Sequence, residues 1–376
     1  MQHDTFGHEI GLAEQWLEKS ALPLWQSQGI DWEKGGFFDA LDLVTGVNSA
    51  NRKRLRVITR QIYVFSQAAK HNIPQAREAV LHGIDFIFSR ARHPQGAFLS
   101  NFDLDGNAVG DQRDTYDLAF VLFALAQAYS ITQDPKLAQE ALSLAAFFSK
   151  VLSHPRGGFV EGIPAEKPRR QNPHMHLLEA SLAWVGCGEK TVFPALAHNL
   201  VDLFKNHFFD PETGAILEYF DDSLGRSGPD IREAVEPGHL FEWVWLLDQY
   251  ESLTGQTVPY LDQIYDFAHR HGVDRKSGFL FGEIGLDGSL HDAKVRLWPH
   301  AEWLRAEAAW KRRHPEADPD RVRQAFTALW RFLETERSGL WFEHYDPENG
   351  GFQKGPVPAS SLYHIVGGFK GLKIWE

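Results

Sequence analysis

The sequence predicts an all-α protein, an (α/α)6 barrel or toroid, with short β-hairpins in its loops. The first observation is a glycine-turn motif that recurs six times at spacings of about 60 residues. The second is that the intervals contain helical patterns, with apolar residues at 3.6-residue spacing. The third is that the strand-like segments are too short and too separated for a central sheet. Repeats of this length indicate repeated supersecondary units, and six units of two helices give six inner and six outer helices.

Each motif consists of a glycine turn, an aromatic or aliphatic pair, and then acidic and turn residues. Between the motifs, residues 117–131, 136–152 and 321–336 have the apolar spacing of helices. The segment EPGHLFEWVWLL at 236–247 is apolar on all sides, as expected of an inner helix that is packed on both faces. The six motifs are GGFFDALD at 35, GAFLSNFDLDG at 96, GGFVEG at 157, GAILEYFDDSLG at 214, GFLFGEIGLDG at 278 and GLWFEHYDPENG at 339.

The composition predicts one domain that extends over residues 1–376. No linker rich in proline, glycine and serine divides the chain, and the polar stretch 312–321 reads as a loop between helices. The chain is 43% hydrophobic, which is enough for a large core. Its twelve tryptophans and 27 phenylalanines are typical of core packing, and in carbohydrate proteins aromatic residues also stack on sugar rings.

Charge and cysteine content limit the partners and the compartment. The formal net charge is −12 and no run of lysines and arginines is present, so a nucleic-acid partner is not expected. The single cysteine, Cys187, excludes an internal disulfide and fits a reducing compartment. The sequence has no secretion signal and no apolar run that approaches 18 residues, so we expect a cytoplasmic protein with no membrane partner.

Polar side chains recur in helical segments that otherwise look buried, where an unpaired ionisable group costs several kcal/mol. Taken alone, each can be a helix cap, a satisfied core residue or half of an ion pair. Most stand near the predicted N-terminal ends of inner helices, whereas Arg60 stands farther inside its helix. The inner helices of such a barrel run in the same direction, so these ends meet at one mouth. We expect a small-molecule site there, lined by His176, His239, Glu242, Trp298, Glu302 and His364.

His239 and Glu242 lie three residues apart and therefore share a face of the predicted helix. Glu236 precedes Pro237, which suits the first helical position, so His239 falls in the first turn. The positive end of the helix disfavours an imidazolium, and the nearby Glu242 carboxylate favours it. The two effects predict a pKa near neutrality for His239, which suits acid–base catalysis.

Capping signals predict where the helices around the mouth begin. Serine, asparagine and aspartate commonly cap helices, and proline suits the first helical position. The expected starts are Asp114 or Thr115 as a cap before Tyr116, Asn172 as a cap before Pro173, Pro299 with Trp298 in the preceding loop, and a serine at 360–361 as a cap before His364.

Histidines outnumber carboxylates among the residues of the predicted mouth. This favours proton transfer near neutral pH over glycoside cleavage, which needs two carboxylates that flank the bond. His174, His176, His239 and Glu242 are of metal-ligand types, but no HExxH is present and an H-x-H on a helix points its side chains apart. The chain has neither a GxxxxGK[ST] motif nor a Rossmann fingerprint. We therefore expect no metal and no cofactor.

Four stretches around the predicted mouth are NPHMHLLEA, EPGHLFEWVWLL, RLWPHAEWLRA and SLYHIVGG, preceded in the chain by TRQIYVFSQA and YDLAFVLFAL. Together they resemble the N-acylglucosamine 2-epimerase family of sugar epimerases and isomerases, from residue 59 to the C-terminus. The family includes 2-epimerases of N-acetylglucosamine and cellobiose, and isomerases of mannose and sulfoquinovose. The resemblance implies an (α/α)6 barrel. One departure is His300, where the family often has glutamine.

The resemblance also implies roles for the residues of the mouth. His239 and His364 match the general acid–base pair that moves the proton next to the carbonyl of the ring-opened sugar. His176 matches a histidine that holds the substrate and assists ring opening, and Arg60 matches an arginine that stabilises the enediolate oxygen. Glu242 is expected to orient His239. The remaining matches are Glu302, which would orient a neighbour, and the sugar-contacting Tyr116, Asn172 and Trp298.

In chain length and in the residues of its motifs, the sequence most resembles the family's mannose isomerases. The resemblance therefore implies a cofactor-independent interconversion of D-mannose and D-fructose through an enediol(ate), with a monosaccharide as the expected partner. The alternative is a 2-epimerase that acts on N-acetylglucosamine, mannose, glucose or cellobiose. A glycoside hydrolase or lyase on the same barrel and a non-catalytic sugar-binding protein are the remaining hypotheses.

Overall fold

The computed structural model describes residues 6–226 and 231–375 of the chain. Thirteen α-helices lie in these two ranges: α1 (Gly7–Trp16), α2 (Leu22–Gln28), α3 (Leu55–Lys70), α4 (Ala76–Arg90), α5 (Thr115–Thr132), α6 (Pro135–Phe147), α7 (Asn172–Gly186), α8 (Val192–Leu203), α9 (Pro237–Thr254), α10 (Leu261–Phe267), α11 (Leu297–Arg313), α12 (Pro319–Leu333) and α13 (Ser360–Leu372). Short π-helical segments extend α1, α6, α8 and α10 at Leu17–Ala21, Phe148–Leu152, Phe204–Phe208 and Ala268–Gly272.

Six of these helices form a closed inner ring. Each of α3, α5, α7, α9 and α11 contacts the next inner helix, and α13 contacts α3. The helix that follows each inner helix packs on its outer side, and α1 takes that place beside α13. The structure is therefore an (α/α)6 barrel, which confirms the predicted fold class.

Burial separates the two layers of the barrel. In α5 every residue from 117 to 126 is buried, because one side of the helix faces the barrel interior and the other faces outer helices. In α12 only one face is buried, through Val322, Ala325, Phe326, Ala328, Leu329, Phe332 and Leu333. The apolar segment 236–247 belongs to the inner helix α9, as predicted. None of the helices in the two described ranges has the length and hydropathy required to cross a lipid bilayer.

Thirteen short strands lie in the described loops: β1 (Ala40–Leu41), β2 (Lys53–Arg54), β3 (Asn101–Phe102), β4 (Arg113–Asp114), β5 (Gly162–Ile163), β6 (Arg169–Arg170), β7 (Tyr219–Phe220), β8 (Glu283–Ile284), β9 (Leu290–Asp292), β10 (Val295–Arg296), β11 (His344–Asp346), β12 (Gly351–Phe352) and β13 (Val357–Pro358). All pairings are antiparallel, in the orders β1–β13, β2–β3, β4–β5, β6–β7, β8–β9 and β10–β11–β12.

These strand pairs stand at the N-terminal ends of the inner helices. The strand before an inner helix pairs with the strand after the next outer helix, as β2 does with β3 and β4 with β5. Before α9, a single bridge between Val235 and Ile284 takes this place. β13 pairs with β1, so the same arrangement also joins the last repeat to the first. The repeated loops therefore surround one mouth of the barrel.

The predicted glycine turns follow the outer helices. The leading glycine of all six motifs has a positive φ between 78° and 96°, a range that L side chains rarely adopt. Antiparallel bridges such as Arg92–Phe98 and Val273–Leu280 close hairpins around these turns. Backbone conformation thus explains why glycine recurs, and the predicted hairpins are confirmed.

The helix starts around the mouth agree with the sequence at α5 and differ at three other helices. Asp114 caps α5 and accepts a hydrogen bond of 2.9 Å from the Tyr116 amide, as predicted. Asn172 is already the first residue of α7, and Trp298 lies inside α11. Ala359 rather than a serine precedes α13. The predictions for these three helices are wrong.

Backbone hydrogen bonds join two of these helix starts to neighbouring motifs. The amide of Gln171, just before α7, donates to the carbonyl of Glu218 at 3.1 Å. The amide of Leu297, the first residue of α11, donates to the carbonyl of Glu343 at 3.1 Å. These backbone contacts fix the starts of both helices against the neighbouring motifs.

Alanine at two of the motif glycines should separate backbone strain from a steric clash. Gly278 (φ 78°) has open space where a Cβ would lie, so Gly278→Ala should lower stability by about 1–2 kcal/mol through backbone strain alone. At Gly339 (φ 93°) a Cβ would lie 2.7 Å from the carbonyl carbon of Ser20, so Gly339→Ala should cost more. Thermal unfolding followed by circular dichroism measures both variants, and equal midpoints would contradict this explanation.

Candidate active site

A cavity of about 270 Å³ lies at the mouth formed by the N-terminal ends of the inner helices. Eight of the nine site residues predicted from the sequence line it, and only Glu302 does not. The lining residues are Arg60, Tyr116, Asn172, His176, Glu236, His239, Glu242, Arg296, Trp298, Glu343, Ser360, Ser361 and His364.

His239, in the first turn of α9, is held by a carboxylate and an amide. Its Nδ1 lies 2.9 Å from Oε1 of Glu218, and its Nε2 lies 2.9 Å from the side-chain amide of Asn172. Burial acts to lower the pKa of His239, but the charges of Glu218 and Glu236 and the hydrogen bond to Glu218 raise it to about 9. His239 is therefore an imidazolium at neutral pH, and the predicted near-neutral pKa is wrong. Both of its nitrogens then donate, so the Asn172 side chain turns its oxygen, which has no other partner in the two described ranges, toward Nε2.

Glu218, rather than Glu242, orients His239, so the role predicted for Glu242 is wrong. The Oε1 of Glu242 lies instead 3.8 Å from Nδ1 of His176. Both oxygens of Glu242 are buried, and neither has a hydrogen-bond partner in the described part of the chain. Burial, and then the nearby charge of Glu302, raise the pKa of Glu242 well above its ordinary value. The neutral form of the Glu242 carboxyl is therefore favoured at the cavity.

His364, in α13, pairs with Glu302, which is fully buried. Nδ1 of His364 lies 2.6 Å from Oε1 of Glu302. Burial, and then the positive charge of Arg60, lower the pKa of His364 well below its ordinary value. A neutral imidazole that donates from Nδ1 to a carboxylate keeps Nε2 free to accept a proton. This contact agrees with the orienting role expected of Glu302, which stays a prediction. The expectation that Glu302 lines the mouth is wrong, because Glu302 lies outside the lining of the cavity.

Trp298 forms a wall that the two histidines share. The centroid of its indole lies 4.9 Å from the ring of His239 and 5.4 Å from the ring of His364. Trp298 also packs under the Arg296 guanidinium, at 5.3 Å from the ring centroid. The indole therefore gives the cavity an apolar surface between its acidic and basic groups.

Arg60 lines the cavity and forms no ion pair with any described residue. Its guanidinium donates to the Tyr116 hydroxyl and lies 4.5 Å from the centroid of the Phe120 ring, and its buried Nε has no hydrogen-bond partner. His176 packs edge-on against Tyr116, and its Nδ1 lies 3.3 Å from Glu179. Burial lowers the pKa of His176 to about 4. This side of the cavity thus combines an unpaired guanidinium with a neutral imidazole.

His174 and His300 stabilise the scaffold and lie outside the cavity lining. His300 accepts a hydrogen bond from the Leu280 amide at 2.9 Å and donates one to the Arg296 carbonyl at 2.8 Å. His174 is placed in the same way and accepts from the Phe159 amide at 3.0 Å. Burial lowers the pKa of His174 to about 3 and that of His300 to about 4, so both are neutral. The departure from the family at position 300 therefore does not touch the sugar site.

Six residues of the site were missed by the sequence analysis, among them Ser360, which lines the cavity. Glu218 orients His239, as described above. Glu236 and Arg296 form an ion pair of 3.0 Å at the rim. Ser361 donates to Glu343 at 2.7 Å, and burial raises the pKa of Glu343 to about 7. The missed residues thus add acidic and basic groups around the cavity.

Two of the missed residues occupy the same position in the repeated glycine-turn motif, so the sequence could have indicated them. Glu218 and Glu343 each stand four residues after the leading glycine of their motifs, and we name this the +4 position. In the first and third motifs the +4 position holds Asp39 and Glu161. Glu161 accepts a hydrogen bond of 2.7 Å from Nε of Arg170, just before α7. Five of the six motifs have a polar residue at the +4 position, and the exception is Gly282 in the fifth. Alignment of the motifs therefore predicts polar side chains beside the starts of most inner helices.

Two clusters bring potential metal ligands within 4.8 Å of one another, but neither is assigned as a metal site. Protonated His239 has no lone pair for a cation. Glu179 already accepts hydrogen bonds from Arg305 and Tyr363. We therefore derive no chemistry from a bound metal. The clusters are His176–Glu179–Glu242 and Glu218–Glu236–His239.

An imidazolium, a neutral imidazole and an unpaired guanidinium in one buried mouth suit proton transfer on a small polar substrate. The model of the family described as N-acylglucosamine 2-epimerase (GlcNAc 2-epimerase) matches residues 36–368. The chain belongs to this family, and it is an intramolecular isomerase or 2-epimerase of sugars.

Several sugar isomerases and epimerases are similar to the chain over most of their length. The chain is 32% identical to a mannose-6-phosphate isomerase of Rhizobium meliloti, with 95% of each chain covered. It is 24% identical to a D-mannose isomerase of Marinomonas mediterranea, with 89% of this chain and 90% of the relative covered. The structure of a cellobiose 2-epimerase from Bacillus thermoamylovorans has a TM-score of 0.85 at 20% identity, with 97% of this chain and 98% of that chain covered, and shows the shared fold.

Glutamine at position 300 should preserve the scaffold. Its amide oxygen can accept from the Leu280 amide and its NH2 can donate to the Arg296 carbonyl, as His300 does. His300→Gln should therefore unfold at nearly the wild-type temperature. His300→Leu leaves both backbone groups without a partner, which should cost roughly 1–3 kcal/mol for each group. Thermal unfolding tests this, and a changed KM in His300→Gln would contradict the assignment of His300 to the scaffold.

Proposed function

We propose that the protein interconverts D-mannose and D-fructose without a cofactor, by proton transfer through an enediolate. The observation that carries the proposal is the pair of histidines in one cavity, with His239 protonated and His364 neutral, beside the unpaired Arg60. An aldose–ketose isomerase needs a base for the C2 proton, an acid for the oxygens and positive charge for the enediolate. The names of two relatives, isomerases of mannose and of mannose 6-phosphate, support mannose as the sugar.

His364 starts the proposed reaction. Its Nε2 takes the proton from C2 of the ring-opened aldose, and the electrons move onto O1 as the C1–C2 double bond forms. The His239 imidazolium protonates O1, and Arg60 stabilises the negative charge that develops there. Neutral His239 then takes the proton from O2 while the C2 carbonyl forms. After its proton has exchanged with solvent, His364 delivers a proton to C1, which gives the ketose and restores both histidines.

The remaining cavity residues bind and prepare the sugar. In its neutral form Glu242, whose oxygens have no protein partner, can donate to one hydroxyl and accept from another. Neutral His176 and the amide of Asn172 provide further hydrogen bonds, and His176 assists ring opening. Trp298 packs against the apolar face of the sugar.

The arginines of the cavity favour a free sugar over a sugar phosphate. Only two arginines, Arg60 and Arg296, are among the residues that line it. Arg296 already pairs with Glu236 at 3.0 Å, which leaves Arg60 for the enediolate. Phosphate sites use arginine or lysine side chains that are free to bind the phosphate oxygens. The proposed substrate is therefore D-mannose rather than its 6-phosphate.

A 2-epimerase is the second candidate, and one observation favours it. His239 and His364 both line the cavity and both contact Trp298, so two proton carriers are available to the same sugar carbons. Epimerisation differs from isomerisation only in where the proton returns, to the opposite face of C2 instead of to C1. The position of solvent hydrogen in the product therefore distinguishes the two reactions.

D-Mannose incubated with the protein in D2O should give D-fructose with deuterium at C1, measured by NMR. His364→Gln should lower kcat by roughly 10²–10⁴-fold, because the base is lost. His198→Gln is the matched control, since His198 lies on the outer helix α8 and hydrogen-bonds the Tyr250 hydroxyl. This variant should keep the wild-type rate.

Other products would contradict the proposal in distinct ways. Glucose with deuterium at C2 would indicate 2-epimerisation. Faster turnover of D-mannose 6-phosphate than of D-mannose would overturn the free-sugar assignment. Cleavage of an oligosaccharide, without exchange in any free sugar, would exclude both an isomerase and an epimerase.

Glu218→Gln should move the basic limb of the kcat/KM profile to lower pH. The proposed reaction needs protonated His239, whose pKa is raised to about 9, so wild-type activity should fall above that pH. Burial lowers the pKa of His239, and the charge of Glu218 raises it. Without that charge the pKa of His239 should fall, so the basic limb should move by roughly 1–3 pH units. Steady-state kinetics across the pH range measure the shift.

Glu161→Gln is the control for this experiment, because Glu161 holds the same +4 position and binds an arginine instead of a histidine. Its basic limb should stay where the wild type has it. An equal shift in both variants would show that the limb does not report the pKa of His239.

A further inference from the structure

One guanidinium lies next to the carboxylates of two cavity histidines. Arg305, in α11, donates to Glu179 at 3.2 Å through Nη2 and to Glu302 at 3.4 Å through Nη1. Glu179 is the partner of His176, and Glu302 is the partner of His364. Arg305 therefore joins the two histidines through the groups that orient them.

We propose that Arg305 is a positioning residue that keeps Glu302 ionised and thereby holds His364 in the tautomer that acts as the base. The inference rests on the proposed role of His364. Arg305 is absent from the lining of the catalytic cavity. It lines a separate cavity of about 340 Å³ toward the C-terminal ends of the inner helices. Arg305 thus acts on the reaction through other residues and does not contact the sugar.

The charge of Glu302 decides which nitrogen of His364 is free. A carboxylate only accepts hydrogen bonds, so Nδ1 of His364 carries the proton and Nε2 has a lone pair for the proton on C2. A protonated Glu302 donates to Nδ1, and the imidazole proton then resides on Nε2, which removes the base. The distance of 2.6 Å between Nδ1 and Oε1 allows a hydrogen bond in either direction.

Burial alone would protonate Glu302. Burial is the largest influence on the pKa of Glu302, and the charge and hydrogen bond of Arg305 act in the opposite direction. With Arg305 in place the pKa is still raised to about 7, so Glu302 is mainly a carboxylate above that pH, and loss of Arg305 would raise the pKa further. The Arg305 side chain is only 5% exposed, and its guanidinium lies 3.2 Å from the centroid of the Trp245 ring. Little water screens this ion pair, so its interaction is strong. Among the described residues, Arg305 is the one permanent cation within hydrogen-bond distance of Glu302.

Other charged or titratable groups face Glu302 and His364 from each packed helix. Arg60 on α3 is the other permanent cation, and it acts on His364 from across the cavity. Glu179 opposes Arg305, because its negative charge raises the pKa of Glu302. Loss of Glu179 should therefore act in the opposite direction to loss of Arg305. The remaining groups are Tyr63 on α3, His176 on α7, His239 and Glu242 on α9, and Tyr363 on α13.

Arg305→Gln should move the acid limb of the kcat/KM profile to higher pH by roughly 1–3 units, because the pKa values of Glu302 and His364 both rise. Glu179→Gln should move the same limb to lower pH. Arg305→Lys keeps the charge and should restore most of the wild-type position. A purely structural role predicts lower activity at every pH with the limb in place, and that result would overturn the inference. Shifts of both variants in the same direction would overturn it as well.

Arg312→Gln is the matched control on the same helix. Arg312 also lines the second cavity, and its Nε donates to Asp248 at 2.9 Å rather than to a partner of a histidine. Its acid limb should coincide with that of the wild type. A shift equal to that of Arg305→Gln would assign the effect to general loss of positive charge and would overturn the specific role of Arg305.

A measurement that needs no turnover separates this inference from the proposed function. The ¹⁵N shifts of the histidine rings report the tautomer, and His364→Gln identifies the signals of His364. Above the pKa of Glu302, which is about 7, the wild type should carry the proton on Nδ1, and Arg305→Gln should carry it on Nε2. A tautomer change in a protein that turns over no sugar would contradict the proposed function alone. An unchanged tautomer would overturn the role of Arg305, and if Arg305→Gln fails to fold, the direction of the Glu179→Gln shift decides.

Discussion

The contact between α13 and α3 closes the ring, and the candidate site depends on that closure. It brings Arg60, from the first inner helix, into the same cavity as His364, from the last. The pairing of β1 with β13 joins the same two repeats at the mouth. Because the inner helices run in the same direction, the first turns of several helices surround one small volume. An open arrangement would expose the histidines to water and return their pKa values toward the ordinary range.

The two acid–base histidines have similar burial and opposite charge. Burial favours the neutral form of both imidazoles. His239 is surrounded by the carboxyl groups of Glu218 and Glu236, which more than compensate for burial. His364 faces Arg60 instead, and its one carboxylate is shared with a buried arginine. The barrel thus supplies the low dielectric, and the residues beside each imidazole decide its protonation.

The fold and most of the site could be predicted because both depend on local patterns. The glycine motif and the 3.6-residue spacing are visible in the sequence, and so are polar residues in apolar helices. The partner of His239 could not be predicted in the same way, because Glu218 belongs to a loop and reaches His239 only in the closed ring. The start of α7 at Asn172 was also missed, because the contact between the Gln171 amide and the Glu218 carbonyl joins two repeats and is not visible in the sequence. The single domain over 1–376 and the cytoplasmic location stay predictions.

The +4 position shows how one register of the repeat serves both the scaffold and the site. Glu161 there binds Arg170, a permanent cation, so the ion pair only stabilises the loop. Glu218 occupies the same register and binds His239, whose charge depends on its surroundings. The same carboxylate position therefore becomes a means to set a pKa when its partner is titratable. The scaffold needs no other change for this, because the glycine turn already places the carboxylate beside the start of an inner helix.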